Sequence, residues 1–270
     1  MVNFATPAPT ALLFAPGSMP ERFEKAVNAG ADAVILDLED AVSPQLKLSA
    51  RRQVADFAAR NPSVFVRMNA RATEWFDPDL DALQKVSVGA VMLAKAESRE
   101  DIEIVFNRLG RKTAVIPLIE TARALAGLSQ LLASDGVWFA AFGSLDFALD
   151  LGCAHTRDAL LLARGELVLR SRLAGLAAPV DGVTTAFADL SLTESDARYA
   201  AELGFGGKLA IHPKQIDPIR RAFGDDESVR LWAQRVIDAA QSGGVVQVDG
   251  AMVDKPVIDR ARKILSKPRR

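Results

Sequence analysis

"AVMLAKAESREDIEIVFNRLGRKTAVIPLIETA", residues 90–122, sets two apolar runs, AVMLAK and AVIPLIE, on either side of a segment with helical periodicity. Both runs are continuous rather than alternating, the pattern of strands covered on both faces, and each ends in a charge, Lys95 or Glu120. The same unit recurs along the chain: a helical period, a short turn with Gly or another small residue, then a run rich in Val, Ile, Leu and Phe. Strand candidates fall at 11–17, 33–39, 64–69, 90–95, 114–120, 137–143, 177–183 and 208–213. Amphipathic segments such as 20–29, 47–60, 98–108, 121–133 and 194–203 supply crossovers. Eight alternations suit a closed (β/α)₈ TIM barrel, which typically needs ~250 residues. The structural alternative is a doubly wound open sheet, which would bring a Gly-rich nucleotide turn after its first strand; FAPGSMPERF (14–23) holds no G-x-G-x-x-G.

Of the 270 residues 49% are hydrophobic and 25% charged, enough to build a large core. The net charge of −1, from 33 basic and 34 acidic residues, creates no global field toward nucleic acid or an anionic membrane. A single cysteine, Cys153, excludes an intrachain disulfide and a Cys-rich metal site and fits a reducing cytoplasm. No basic leader opens the chain and no apolar run reaches the ~20 residues of a spanning helix, so a soluble, cytoplasmic protein is expected. After the eighth strand, helical segments at 226–241 and 256–267 flank SGGVVQVDGAMVDKP. The expected division is a barrel over 1–224 and a C-terminal helical extension over 225–270. The Gly pair and VVQV read as a linker and a small extension, packing on the barrel or reaching a neighbouring subunit.

Active sites of such barrels lie at the carboxyl ends of the strands, so charges that end the runs should face the mouth. Asp37, Glu39 and Asp40 close the second run, Arg67 and Asn69 the third, Lys95 the fourth and Glu120 the fifth; Asp146 follows the sixth and His212 ends the eighth. Any one of them is also what a strand end commonly carries, but the set is harder to dismiss. Glu120 and Asp146, one β/α unit apart, would repel in a mouth unless one holds a proton or a cation sits between them. Two oxygen ligands with room for waters describe a Mg²⁺ site. Arg67 adds a fixed positive charge suited to a carboxylate or a developing oxyanion.

The sequence resembles the citrate lyase β-subunit-like group of the HpcH/HpaI aldolase superfamily, acyl-CoA lyases that include citryl-, malyl- and citramalyl-CoA lyases. The resemblance runs along almost the whole chain: LLFAPGSMPERFEKAVNAGADAVILDLEDAV, ARRQV, VRMN, IPLIETA, FGSLDFALDLG, GFGGKLAIHPKQI and GAMVDKPVIDRARKIL. It implies a Mg²⁺-dependent carbon–carbon lyase, with Mn²⁺ as a substitute, on a (β/α)₈ barrel that is often trimeric or hexameric. The implied substrate is a 3-hydroxyacyl thioester with a carboxylate on the hydroxyl carbon. Glu120 and Asp146 are the implied metal ligands, and Arg67 the implied contact of the oxygen that passes between alkoxide and ketone. Glu39 and Asp40 would order the metal's waters and hold Arg67. The amides of Gly143, Ser144 and Leu145 would meet the substrate carboxylate. Arg22 and Lys25 would meet CoA phosphates, although solvated helix charges are an equal reading. Asp254 is the implied acid, brought by the C-terminal segment, commonly to an adjacent subunit, to exchange a proton with the acetyl-type carbon.

Other candidates carry structural readings: His212 a hydrogen-bonded structural histidine, His155 a solvated loop residue, GFGG a tight strand entry, and Trp75 and Trp138 packing. Cys153 has no obvious activating partner. Two readings from other classes stay open, a class II pyruvate-type aldolase acting on free acids and a non-catalytic subunit or binding module. The intact set Arg67, Glu120, Asp146 and Asp254 argues against the second. Left undecided are the acyl chain and whether the chain stands alone or joins other citrate lyase subunits on an acyl carrier protein.

Overall fold

Ala33–Asp37 is buried at every position, as a strand must be when one face fills a barrel and the other meets helices. In the computed structural model, which describes residues 6–110, 113–224, 227–241 and 246–266, eight such strands pair in parallel and close on themselves. They are β1 (Ala11–Pro16), β2 (Ala33–Asp37), β3 (Phe65–Met68), β4 (Ala90–Leu93), β5 (Ala114–Ile119), β6 (Ala141–Phe142), β7 (Val180–Asp181) and β8 (Gly207–Ala210). Closure is made by β1, which pairs with β2 in the register Leu12↔Ala33 and with β8 in the register Ala11↔Lys208. The chain divides into two compact units, residues up to Phe223 and residues from Gly224 onward.

In the first unit the helices are α1 (Phe23–Val27), α2 (Lys47–Arg60), α3 (Phe76–Leu83), α4 (Arg99–Leu109), α5 (Ala122–Ala126), α6 (Leu128–Leu132), α7 (Ser144–Leu151), α8 (Leu161–Leu173), α9 (Leu190–Leu203) and α10 (Ile216–Phe223). The period of two along each strand sorts the core into two layers. Leu12, Ile35, Phe65, Met92, Ile116, Leu118, Phe139, Val180 and Leu209 pack together inside the barrel. Their neighbours Leu13, Leu36, Val66, Val91, Val115, Ile119 and Phe142 join the helices in the larger outer cluster. This double burial makes the runs continuous in sequence.

Every expected strand loses residues at an end, and two shrink to ladders of two residues. Within 137–143 only Ala141–Phe142 joins the ladder, Val137 makes an isolated bridge to Val115, and within 177–183 only Val180–Asp181 pairs. Burial extends beyond the ladder, so apolarity overstates strand length. The segment 121–133 is two short helices that meet at Gly127. Helices α3, α7 and α8 complete the crossovers between strands and α10 follows β8; α3 carries Pro78 in its first turn, where a missing N–H is tolerated, and α7 follows an N-cap Gly143 with no capping side chain.

The second unit holds α11 (Glu227–Gln241), α12 (Lys255–Ser266) and an antiparallel hairpin of β9 (Val246–Val248) and β10 (Ala251–Val253) around Ala233, Val236, Val248 and Ala261. VVQV is thus partly hairpin rather than linker, turned by Asp249 and Gly250, both at positive φ (51° and 80°), the conformation that favours Asp-Gly in tight hairpins. Gly243 and Gly244 lie outside the described residues. Among the described residues no helix is long and apolar enough to cross a membrane.

Ile116 is fully buried inside the barrel, whereas Leu149 is 80% exposed. Ile116→Ala is expected to lower unfolding stability by about 2–5 kcal/mol and Leu149→Ala by less than about 0.5 kcal/mol, as read by urea denaturation. Equal effects would contradict the layer assignment.

Candidate active site at the carboxyl ends of the strands

A cavity of about 410 Å³ opens at the carboxyl ends of the strands, lined by Phe14, Asp37, Arg67, Glu120, Gly143 and Asp146 among others. Its order begins with Arg67 on β3. The Nε and Nη2 of Arg67 donate to the two carboxylate oxygens of Asp37 at 2.7 and 2.6 Å, a bidentate pair between adjacent strands whose register sets Asp37 beside Arg67. Nη1 lies 3.0 Å from Glu39 Oε2, an ion pair not aligned as a hydrogen bond, and 3.8 Å from the exposed Asp40. The guanidinium also covers the Phe14 ring at 4.8 Å.

Burial opposes ionisation of Asp37, but the Arg67 charge and hydrogen bonds, with the Glu39 and Ala41 amides, prevail and hold it below the usual carboxylate value. Arg67 is half-buried, and Asp37 and Glu39 hold it charged. Beneath this pair Lys47 Nζ donates to the Leu38 and Glu39 carbonyls and to Asn69 Oδ1 at 2.7–2.8 Å. Asn69 in turn donates to Asp79, which Arg51 holds at 2.7 Å.

Glu120 sits at the end of β5 and is 1% exposed. Lys95 has a left-handed backbone (φ 46°), and its amide donates to Glu120 Oε1 at 2.6 Å. Its ammonium reaches Glu39 Oε1 at 2.8 Å. The other Glu120 oxygen, Oε2, is buried with no hydrogen-bond partner. Burial, then the charge of Glu39, push the Glu120 carboxyl up to about 8 against the pull of Lys95 and Arg67. The next strand must leave room for this group: a Cβ on Gly143 would lie 2.5 Å from Glu120 Oε2. Asp146, half-buried in the first turn of α7, lines the same cavity. Five carboxylates (Asp37, Glu39, Asp40, Glu120 and Asp146) thus face three cations (Arg67, Lys95 and Lys47). An orphaned buried carboxylate oxygen, an acidic excess and an all-oxygen donor set fit a hard divalent cation.

The family described as HpcH/HpaI aldolase/citrate lyase matches residues 10–213. The chain belongs to this family. Among relatives in the HpcH/HpaI family, a citrate lyase subunit beta-like protein of Deinococcus radiodurans is 34% identical over 281 residues, covering 96% of this chain and 98% of the relative. A (3S)-malyl-CoA thioesterase of Cereibacter sphaeroides is 32% identical, covering 95% and 93%. The structure of CitE from Mycobacterium tuberculosis in complex with magnesium, acetoacetate and coenzyme A aligns with a TM-score of 0.87 at 33% identity, covering 97% of this chain and 98% of that one.

The residues that the resemblance singled out fall in three places in this HpcH/HpaI chain. Arg67, Asp40, Gly143, Ser144, Leu145, Glu120 and Asp146 line the mouth, and Glu39 joins them through Arg67 and Lys95. The Gly143 amide is already committed to the Ile119 carbonyl at 2.9 Å, whereas Ser144 and Leu145 begin α7, where amides lack intrahelical acceptors. Arg22 and Lys25 are exposed on the first helical segment and do not line the cavity. Asp254, exposed in the second unit, caps α12 by accepting from the Val257 amide at 3.2 Å.

Two features correct the sequence reading. Asp37, rather than Glu39 or Asp40, is the principal holder of Arg67; its place inside the β2–β3 register was legible, but its partner was not. Lys95 contributes its backbone as much as its charge, and a positive φ at Lys has no sequence signal. His155 is exposed on its loop, as expected, and its Nε2 lies 3.0 Å from Ser144 Oγ. His212 is structural as expected, accepting from the Lys214 amide and stacking on Phe187 with ring centres 5.0 Å apart.

Removing the Asp37 charge leaves the half-buried Arg67 with a poorer partner, so Asp37→Asn should destabilise the protein by about 3 kcal/mol at neutral pH. The folded value of Asp37 is depressed, so its contribution is complete above the unfolded value of about 3.9 and is lost as pH falls through the folded one. Urea denaturation in steps below about pH 4.5 should show wild type losing stability more steeply than Asp37→Asn. Parallel curves would contradict the pairing.

Proposed function

We propose that the chain is a Mg²⁺-dependent carbon–carbon lyase that cleaves a 3-hydroxyacyl thioester, with a carboxylate on its hydroxyl carbon, into an acyl thioester and a 2-oxo acid. The observation that carries this reading is the free Glu120 oxygen in a mouth that also holds Asp146 and a fixed Arg67. Magnesium, acetoacetate and coenzyme A in the related CitE structure support a divalent cation, an oxo acid and a thioester for this chain as well. Glu120 and Asp146 would hold the cation, which when bound supplies Lewis-acid stabilisation of negative oxygen.

In the retro-Claisen direction the hydroxyl proton passes to water, the O–H electron pair forms the ketone, the adjacent carbon–carbon bond breaks and its pair forms a thioester enolate. Arg67 lines the cavity with N–H groups left over after Asp37, placed to stabilise the oxygen that carries negative charge in this step. The Ser144 and Leu145 amides at the start of α7 suit the substrate carboxylate. Phe14, Leu118, Phe142 and Leu209 line the same cavity and exclude water from the enolate. We assign protonation of the enolate carbon to Asp254, donated by the tail of a neighbouring subunit in a trimer or hexamer, and contact with the CoA phosphates to Arg22 and Lys25.

A second reading, thioester hydrolysis, is favoured by the malyl-CoA thioesterase relative at 32% identity. Products separate the two. With citryl-, malyl- and citramalyl-CoA, a lyase releases a 2-oxo acid and acetyl-CoA or propionyl-CoA, whereas a thioesterase releases the intact hydroxy acid and free CoA thiol. Turnover of free 4-hydroxy-2-oxo acids alone would instead indicate the aldolase class.

Asp254→Asn should retain metal and substrate binding and lose about 10²–10⁴-fold in turnover. Mixing inactive Asp254→Asn with inactive Arg67→Ala subunits, under conditions that permit exchange, should restore activity by pairing one intact mouth with one intact tail. Unchanged turnover in Asp254→Asn would reduce the tail to a packing element.

A further inference from the structure

A second cavity, of about 360 Å³, lies on the outer side of β7 and β8 beneath α8 and α9, and the proposed reaction makes no use of it. Asp181 and Lys208 are neighbours of the barrel-interior residues Val180 and Leu209, so the alternation of the strands turns both outward into this layer. Arg164 on α8 is 7% exposed, and its Nε donates to Asp181 Oδ1 at 2.9 Å. Lys208, 2% exposed, donates to Asp181 Oδ2 at 3.2 Å and to the Gly182 carbonyl at 2.6 Å. Two buried cations therefore share one carboxylate. Arg157 at the rim pairs with Asp196 at 2.8 Å and stacks on Tyr199 at 5.0 Å, leaving three cations against two carboxylates around the cavity.

The excess is not spread evenly. Nη1 of Arg164 is buried and has no hydrogen-bond partner, its guanidinium otherwise meeting the Phe142 and Tyr199 rings at 5.4 and 5.8 Å, so a residue that lines a cavity with surplus positive charge keeps one charged donor unsatisfied. An unmade hydrogen bond of this kind is costly, and buried guanidinium groups are normally satisfied by an oxygen anion. His155, on the same wall, is held below the ordinary histidine value by burial first and then by Arg164 and Lys208, which agrees with a positive local potential.

We propose that this cavity is a second binding site, for a small oxyanion whose carboxylate or phosphate oxygens accept from Arg164 Nη1 and Arg157. A cation is disfavoured by the charge excess, and an apolar ligand would leave the Arg164 donor unmet. The oxyanion has two possible sources, a free ion or a distal carboxylate of the substrate itself, because Val183 lines both cavities and His155 in this one meets Ser144 in the other.

The test is titration of the metal-free, full-length protein with inorganic phosphate by isothermal calorimetry, with circular dichroism to confirm folding. Saturable binding at one site per chain is expected. Arg157→Gln, at a side chain 40% exposed, and Arg164→Lys, which keeps a charge beside Asp181, should each weaken it at least tenfold. Should Arg164→Lys not fold, Arg157→Gln alone decides. The double variant Arg22→Gln/Lys25→Gln should bind as wild type does. Phosphate that inhibits turnover competitively with substrate identifies the substrate's own carboxylate as the natural occupant, and phosphate that does not compete identifies a free ion. Absence of saturable binding, or binding unchanged by Arg157→Gln, would overturn the proposal.

Discussion

The hydrogen bond from the Lys95 amide to Glu120 Oε1 governs the mouth. It fixes one oxygen of a deeply buried carboxylate and leaves the other unpartnered beside Gly143. A carboxylate so placed has two stable conditions, protonated when alone and ionised when a cation is present. The rest of the site sustains that tension. Asp37 neutralises Arg67, Lys95 reaches back to Glu39, and Lys47 braces the carbonyls beneath, so five acids are kept together with three bases. A left-handed backbone at a non-Gly residue is uncommon, and at Lys95 it sits where strand β4 delivers its amide to the site.

The barrel was legible in the sequence because double burial has a simple signature: Ala33–Asp37 and Ala114–Ile119 are continuous apolar runs, and such runs occur where both strand faces are covered. Strand lengths were not legible. Trp138 and Phe139 are as apolar as the paired residues Ala141 and Phe142, yet they lie outside the β6 ladder. Apolarity reports burial, whereas pairing is set by the curvature of the closed sheet. The Asp249–Gly250 turn carried a readable hairpin signal that the longer linker reading of SGGVVQV obscured.

At the site the same contrast holds. Arg67, Glu120 and Asp146 announce themselves by ending or following apolar runs, a one-dimensional feature. Partners depend on register between strands and do not appear in one dimension: Arg67 belongs to Asp37 because β2 and β3 set them side by side. Likewise Ser144 and His155, eleven residues apart, meet through the fold of α7 and the loop after it. The outer cavity behind β7 and β8 shows why buried charge needs a structure to interpret. Asp181 and Lys208 fall in expected strands, but nothing in the sequence pairs them with Arg164, and the three are among the more deeply enclosed ionic groups of the barrel.

The central claim is that Glu120 and Asp146 are held ready for a divalent cation. Titration of the full-length protein with Mn²⁺, followed by electron paramagnetic resonance of the free ion, addresses it without any assay of turnover. One bound Mn²⁺ per chain is expected in wild type, displaced by Mg²⁺, with binding at least tenfold weaker in Glu120→Gln and in Asp146→Asn. Equal Mn²⁺ binding by wild type and both variants, each shown to be folded, would contradict it.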